Sequence, residues 1–146
     1  MSGLGDDPIS PLPAEPWANV AVGIDLVAVD EVESAVSHFG DRYLSRVFTP
    51  HEIACSTGEG AVQARHLAAR LAAKEATMKA LGPTDWLPAW RSIEVRSHEG
   101  GRCSLQLHGH AAELARRARL SDFAVSLSHE RNIAAAVVFA VGRGRV

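Results

Sequence analysis

The strongest structural signal in this sequence is the stretch AVQARHLAARLAAKEATMKAL, residues 61–81. It is rich in alanine and contains no glycine or proline, and Gly82-Pro83 follows it directly. These features favour a helix of about six turns that ends at the glycine. Four apolar side chains recur at helical spacing, so we expect one stripe of this helix to pack against the rest of the chain. They are Leu67, Leu71, Met78 and Leu81.

Three further elements are predicted before this helix. Val20–Val27 is rich in valine and isoleucine and favours a strand. Asp30 is a good N-cap, and Glu33 completes the pattern of a capping box for a helix that closes at Gly40. A short helix capped by Thr49 follows.

The segments after the long helix predict strands that pair as hairpins. We expect strands at residues 92–96 and 104–108, a helix at 111–120, and strands at 123–127 and 133–141 joined by a polar loop at 128–132. Hairpins beside helices indicate an α+β fold. We therefore predict a small single domain with an antiparallel sheet packed against the long helix.

Composition narrows the class of protein. The 146 residues are 47% hydrophobic and 22% charged, with a formal net charge of -2, which argues against a protein built mainly to hold nucleic acid. The two cysteines, Cys55 and Cys103, fit no metal spacing and are expected to be reduced thiols. We see no signal peptide and no apolar run long enough for a membrane, and so expect a cytoplasmic location. Residues 1–18 hold four of the seven prolines and are predicted to form a flexible arm.

Charged side chains gather on the long predicted helix. Glu75 and Lys79 lie four residues apart, so both leave the same side of the helix. Lys74 and Arg70 lie close by, which places three cations around one carboxylate and favours an anion nearby. An ordinary ion pair on a solvated helix face is the alternative, and such pairs are common.

Asp25 lies inside the apolar strand. A carboxylate there is costly unless it is paired, hydrogen-bonded or bound to a metal. Strand alternation places Gly23 on the same face, where its missing side chain is expected to leave space for a ligand. The alternative is a solvent-exposed face on which Asp25 is merely polar.

Ser128 and His129 follow a predicted strand. Their hydroxyl and imidazole groups are able to contact a phosphate, although a turn histidine without a ligand explains His129 equally well.

Three separate blocks of sequence together resemble one family. They are GIDLV at residues 23–27, RLAAKEA with KALG at 70–76 and 79–82, and VSLSH at 125–129. In this order and at this spacing they look like the signature blocks of the holo-acyl-carrier-protein synthase type of 4'-phosphopantetheinyl transferase. The similarity extends from about Val20 to Val141, so we predict a phosphopantetheinyl transferase domain over residues 19–146.

The resemblance implies a transferase of fatty acid or polyketide biosynthesis. Such an enzyme moves 4'-phosphopantetheine from coenzyme A to a serine of an apo acyl or peptidyl carrier protein and releases adenosine 3',5'-bisphosphate. By resemblance, Asp25 and Glu75 bind Mg2+, Lys79 lies near the reacting phosphate, and His129 contacts the nucleotide end of coenzyme A. Small enzymes of this type form trimers with an active site between two subunits, so a homotrimer is expected.

The chemistry of these side chains is consistent with the implied roles. Magnesium prefers hard oxygen ligands, typically one or two carboxylates with phosphates and water. Glu75 is expected to act as the base toward the carrier serine, directly or through a metal-bound water. The metal, with Lys79, Arg70 or Lys74, is expected to stabilise phosphate charge. The residues expected to bind coenzyme A are Arg70, Lys74, Lys79, Ser128 and His129.

One departure from the family concerns the predicted first helix. Related synthases often carry arginines there that hold an acidic carrier protein, whereas this helix reads DEVESAVSHF at residues 30–39. An acidic carrier would be repelled, so we expect a carrier from a specialised pathway as readily as the usual fatty-acid one. Two other readings stay open: a catalytically silent assembly homologue, and a coenzyme A or nucleotide-binding module that acts without a carrier.

Overall fold

A computed structural model describes residues 19–83 and 85–143. The predicted arm at residues 1–18 lies outside them. In chain order the elements are β1 (Asn19–Ala28), α1 (Val29–Phe39), α2 (Asp41–Val47), α3 (Pro50–Cys55), α4 (Ala61–Leu81), β2 (Ile93–Ser97), β3 (Cys103–Leu107), α5 (Gly109–Arg117), β4 (Asp122–Glu130) and β5 (Ile133–Gly142). Single 3-10 turns lie at Trp90–Ser92 and Glu99–Gly101.

The strands form two antiparallel sheets. One has three strands in the order β1-β5-β4, and the other is the β2-β3 hairpin. The central strand β5 places Ala136 opposite Asp25 of β1 and opposite Leu127 of β4. The predicted α+β fold with antiparallel strands is confirmed, as is the full length of the predicted long helix.

Helix α4 packs on the three-stranded sheet through small side chains. Fully buried alanines line both sides of this contact: Ala72, Ala73 and Ala76 on the helix, and Ala134 and Ala140 on β5. Gly23 of β1 belongs to the same contact, because a Cβ atom added there would lie 1.9 Å from the carbonyl oxygen of Ala76. The expectation that Gly23 leaves space for a ligand is therefore wrong: the helix backbone fills that space.

The burial of α4 also exceeds the single stripe predicted for it. Twelve of its 21 residues are buried, including Arg70 and Lys74, whereas Leu71 is only half-buried. The reason is that α4 contacts the sheet on one side and α1, α3 and β2 on others. Polar groups on α4 must therefore find partners inside the protein.

The turn between β4 and β5 differs from the prediction. The expected loop at 128–132 shortens to Arg131 and Asn132, and β4 continues through Ser128 and His129 to Glu130. Arg131 has a φ of 52°, as tight hairpin turns require. Asn132 then caps α1: its Oδ1 accepts from the Asp30 N–H at 2.9 Å and its carbonyl oxygen from the Val29 N–H at 2.8 Å. The predicted Asp30 cap is wrong, because the cap comes from a distant turn.

Of two other predicted helix ends, the start of α3 agrees with the structure and the end of α5 does not. Thr49 and Glu52 form the reciprocal capping box that begins α3, which confirms the cap predicted at Thr49. Helix α5 ends at Arg117 and not at Leu120, because Arg119 takes the left-handed conformation with a φ of 57°. Among the described residues, every helix is too short or too polar to cross a membrane.

Candidate active site

Asp25 lies on the face of β1 that is covered by α4. Its side chain is 12% exposed, and its Oδ1 accepts a hydrogen bond of 2.7 Å from the Lys79 ammonium. Its Oδ2 is buried and has no hydrogen-bond partner among the described residues. A buried carboxylate oxygen without a donor is costly, so this atom is a candidate ligand for a cation.

Glu75 projects from α4 beside Asp25 and is half-buried. Burial and the neighbouring Asp25 carboxylate together raise the pKa of Glu75 to about 7, against the opposing charge of Lys79. Burial alone would raise the pKa of Asp25, but its interactions with Glu75 and Lys79 outweigh burial and leave that pKa below its usual value. Two neighbouring carboxyl groups of this kind hold either a proton or a cation between them near neutral pH.

These two carboxyl groups fit a magnesium ion. They come from separate elements and offer an unpartnered oxygen, and magnesium commonly takes one or two protein carboxylates and completes its shell with phosphate and water. Larger groups of three or more acidic, histidine or cysteine ligands do not occur within 19–83 and 85–143. The donor set therefore suits a cation that a phosphate ligand shares.

A cleft of about 270 Å³ opens at Glu75. Glu31, Tyr43 and Leu71 contribute to its walls, together with Leu26, Val27 and Val32. Burial, with the negative charge of Glu75, raises the pKa of Tyr43. Tyr43 was not among the predicted site residues, and Glu31 was noted only as part of the acidic first helix.

A second group of basic side chains gathers about two turns earlier on α4. Burial lowers the pKa of His66, and the positive charges of Arg70, His129 and Arg65 lower it further. Arg70 donates to the His66 carbonyl oxygen at 3.0 Å and to Ser97 Oγ at 2.9 Å, while its buried Nε has no partner in the described part of the chain. Ser128 and His129 are exposed at the end of β4. This basic group is suited to an anion.

Lys74 belongs to neither group. Its side chain is 0% exposed, and its ammonium lies 2.7 Å from Glu52 Oε1, whose side chain is also 0% exposed. It donates in addition to the carbonyl oxygens of Trp90 at 3.1 Å and Ile93 at 2.5 Å. Burial lowers the pKa of Lys74, against the opposing charge of Glu52. The contacts of Lys74 thus join α4 to α3 and β2 instead of reaching the cleft.

Comparison with known proteins identifies the family. Residues 21–138 match the 4'-phosphopantetheinyl transferase superfamily. The chain belongs to this superfamily. The match spans β1 through most of β5, and so includes every residue of the cleft and of the basic group.

Relatives within the superfamily are similar over most of their length. The holo-[acyl-carrier-protein] synthase of Moorella thermoacetica is 43% identical over 120 residues, 79% of this chain and 88% of that protein. The synthase of Desulforudis audaxviator is 40% identical over 123 residues, 84% of this chain and 93% of that protein. Among solved structures, a Chronobacterium ammoniagenes ACPS–CoA complex superposes with a TM-score of 0.72 at 31% identity, covering 87% of this chain and 98% of that one.

In this phosphopantetheinyl transferase superfamily member, the fold places the three sequence blocks on α4 and on two strands that contact it. The blocks on β1 and α4 bring Asp25, Glu75 and Lys79 into contact. The block on β4 brings His129 near His66 of α4, whose carbonyl oxygen accepts from Arg70. His66 and Glu75 lie nine positions apart on α4, about two and a half turns, so the basic group and the carboxyl groups lie on opposite sides of this helix.

Proposed function

We propose that this chain transfers the 4'-phosphopantetheine group of coenzyme A to a serine of an apo carrier protein, with magnesium as cofactor. The observation that carries the proposal is the contact between Asp25, Glu75 and Lys79 at the motif positions of the superfamily. An unpartnered carboxylate oxygen beside a second carboxyl group supports a divalent cation there. The relatives named above as holo-[acyl-carrier-protein] synthases support the same reaction.

Asp25 and Glu75 would hold the magnesium ion, which would neutralise charge on the pyrophosphate of coenzyme A. Glu75 would take the proton of the carrier serine. The serine oxygen forms a bond to the phosphorus that bears the pantetheine arm, and the bond from that phosphorus to the bridging oxygen breaks. Adenosine 3',5'-bisphosphate leaves with the electron pair. Lys79, whose side chain is 58% exposed, would stabilise charge on the phosphate oxygens.

Arg70, Ser128 and His129 are proposed to bind the nucleotide end of coenzyme A. The partly unsatisfied Arg70 guanidinium and the neighbouring His129 support this assignment, because a phosphate offers several strong acceptors to such donors. Lys74 has no exposed surface with which to join them, so we assign it to the buried contact with Glu52.

A homotrimer is proposed as the working form, located in the cytoplasm. The outer face of β1 and β5 carries large apolar side chains, among them Val22 at 63%, Ile24 at 62% and Leu26 at 64% exposure. An exposed apolar face of this kind favours association with further copies of the chain. Asp25 lies between Ile24 and Leu26, so an interface on this face would adjoin the cleft.

Intact-mass measurement tests the reaction directly. The protein is incubated with coenzyme A, Mg2+ and a panel of apo carriers, and each carrier is expected to gain the mass of phosphopantetheine if it is a substrate. Coenzyme A binding without mass gain would indicate the nucleotide-binding alternative. If the protein neither binds coenzyme A nor modifies any carrier, the catalytically silent assembly homologue is the remaining alternative.

The identity of the preferred carrier depends on α1. Asp30, Glu31 and Glu33 lie on this helix, and Glu31 reaches the cleft. Arg42 and Arg46 form a separate groove with Phe39 and Tyr43. The carrier is therefore proposed to contact both the acidic side chains of α1 and these two arginines. Replacing Glu31 by lysine is expected to raise the transfer rate with a strongly acidic carrier about two- to tenfold at low salt. An unchanged rate would contradict this electrostatic role for α1.

A further inference from the structure

The Lys79 ammonium lies against one of the two oxygens of the Asp25 carboxylate. It donates to Asp25 Oδ1 at 2.7 Å and to the Ile24 carbonyl oxygen at 3.0 Å, and so joins α4 to β1. The two partners differ in freedom, because the Lys79 side chain is 58% exposed and that of Asp25 only 12%. The carboxylate is held by the fold, and the lysine can swing into solvent.

A divalent cation and the ammonium would compete for Asp25. Magnesium lies about 2.0–2.1 Å from its oxygen ligands. An ammonium held 2.7 Å from Oδ1 would then be a near neighbour of the metal, and two cations at such short range repel strongly. Two carboxyl groups can carry two negative charges and one lysine neutralises only one of them, so a divalent ion matches their charge better.

We propose that Lys79 is a place-holder for the metal: it neutralises Asp25 in the metal-free protein and is released from Asp25 when the divalent cation binds. This inference rests on the magnesium ion of the proposed function. Release makes the ammonium available to a phosphate only after the cation is in place. The order of these events is thus set by the repulsion between two cations at the two oxygens of one carboxylate.

The lysine content of the chain makes this exchange measurable without an activity assay. Lys74 and Lys79 are its two lysines, and Lys74 is 0% exposed. Labelling with an amine-reactive reagent, followed by peptide mapping, therefore reports on Lys79, while any labelling of Lys74 reports unfolding. Saturating Mg2+ is expected to increase labelling of Lys79 by roughly two- to fivefold. This factor corresponds to the small free energy that a partly exposed ion pair contributes.

Two variants serve as matched controls for this measurement. Glu75→Gln keeps the ion pair between Lys79 and Asp25 but weakens the metal site, so labelling is expected to stay low with and without Mg2+. Asp25→Asn removes the anchor, so labelling is expected to be high under both conditions. A third variant, Lys79→Gln, removes the ammonium that competes with the metal. It is expected to bind Mn2+ roughly two- to fivefold more tightly than the unmodified protein, as measured by electron paramagnetic resonance titrations without coenzyme A.

The outcomes separate this inference from the proposed function. Cation binding with unchanged labelling of Lys79, or unchanged Mn2+ affinity in Lys79→Gln, overturns the place-holder and leaves a magnesium-dependent transferase intact. Failure of the unmodified protein to bind Mg2+ or Mn2+, even with coenzyme A present, overturns both. Increased labelling together with tighter binding by Lys79→Gln supports the exchange.

Discussion

The Glu75 side chain links protonation, metal binding and stability. Its folded pKa of about 7 exceeds the usual 4.5, so the folded state binds the proton more tightly than the unfolded state. This contribution to stability is complete below the unfolded pKa and is lost as pH rises through the folded pKa. The metal-free protein is therefore expected to lose stability between about pH 4.5 and pH 7 from this group.

Glu75→Gln tests this linkage because glutamine keeps the shape and cannot ionise. The melting temperature of the metal-free variant is expected to exceed that of the unmodified protein more at pH 8 than at pH 5. Added Mg2+ is expected to stabilise the unmodified protein at pH 8 and to stabilise the variant less. Parallel melting curves at all pH values would contradict the perturbed carboxyl group.

The same substitution has a catalytic consequence. Loss of the proposed base is expected to lower kcat by about 10²-fold or more, the usual contribution of general-base catalysis. Glu113→Gln is a suitable control, because Glu113 is a carboxylate on α5 that pairs with Arg116 and Arg117. Near-normal turnover in Glu75→Gln would assign the proton transfer to another group.

The buried pair of Lys74 and Glu52 makes a separate prediction about stability. Lys74→Met leaves the Glu52 carboxylate buried without its counter-ion, which is expected to cost about 3–5 kcal/mol. The double variant Glu52→Gln with Lys74→Met removes both charges and is expected to recover part of that loss. Urea denaturation of the two variants measures the difference, and equal stabilities would argue against a coupled pair.

Among the elements, contact between β1 and α4 depends on the absence of a side chain at Gly23. Gly23→Ala places a Cβ 1.9 Å from the Ala76 carbonyl oxygen, on backbone that cannot move aside cheaply. A loss of about 1–3 kcal/mol is expected, together with weaker metal binding because Asp25 shifts away from Glu75. Leu87→Ala, at a residue 68% exposed and outside this sheet, is the control and is expected to change neither.

The elements differ in how far the sequence alone could predict them. Helix α4 was predicted with its exact ends, because its strong helix formers and the closing Gly82 are local signals. The cap of α1 was not predicted correctly, because Asn132, which supplies it, lies 102 positions from Asp30. Asp25 and Glu75 were predicted as site residues from their residue type and from the family blocks that contain them. The pairing of Lys79 with Asp25, and not with Glu75, could not be predicted, because it depends on how α4 packs across β1.

At the scale of the whole molecule, the main feature is the exposed apolar face formed by β1 and β5. Val22, Ile24 and Leu26 alternate with the inward Gly23 and Asp25, so the strand that carries the proposed metal ligand also carries the exposed face. β5 adds Ile133, Val137 and Phe139 to the same face. In a trimer this surface would be covered, and a neighbouring subunit would lie beside the cleft.

Ile24→Asp is the sharpest test of this assembly. The new carboxylate would be buried in a subunit interface and is expected to dissociate the trimer in light-scattering measurements, because an unpaired buried charge is costly. Transfer activity is expected to fall with the trimer, since the basic group at Ser128 and His129 would no longer face the carboxylates of a neighbour. Phe39→Asp, a change at another exposed apolar residue outside this face, should leave assembly unchanged. A monomeric unmodified protein with full activity would refute the shared site, because each chain would then hold coenzyme A alone.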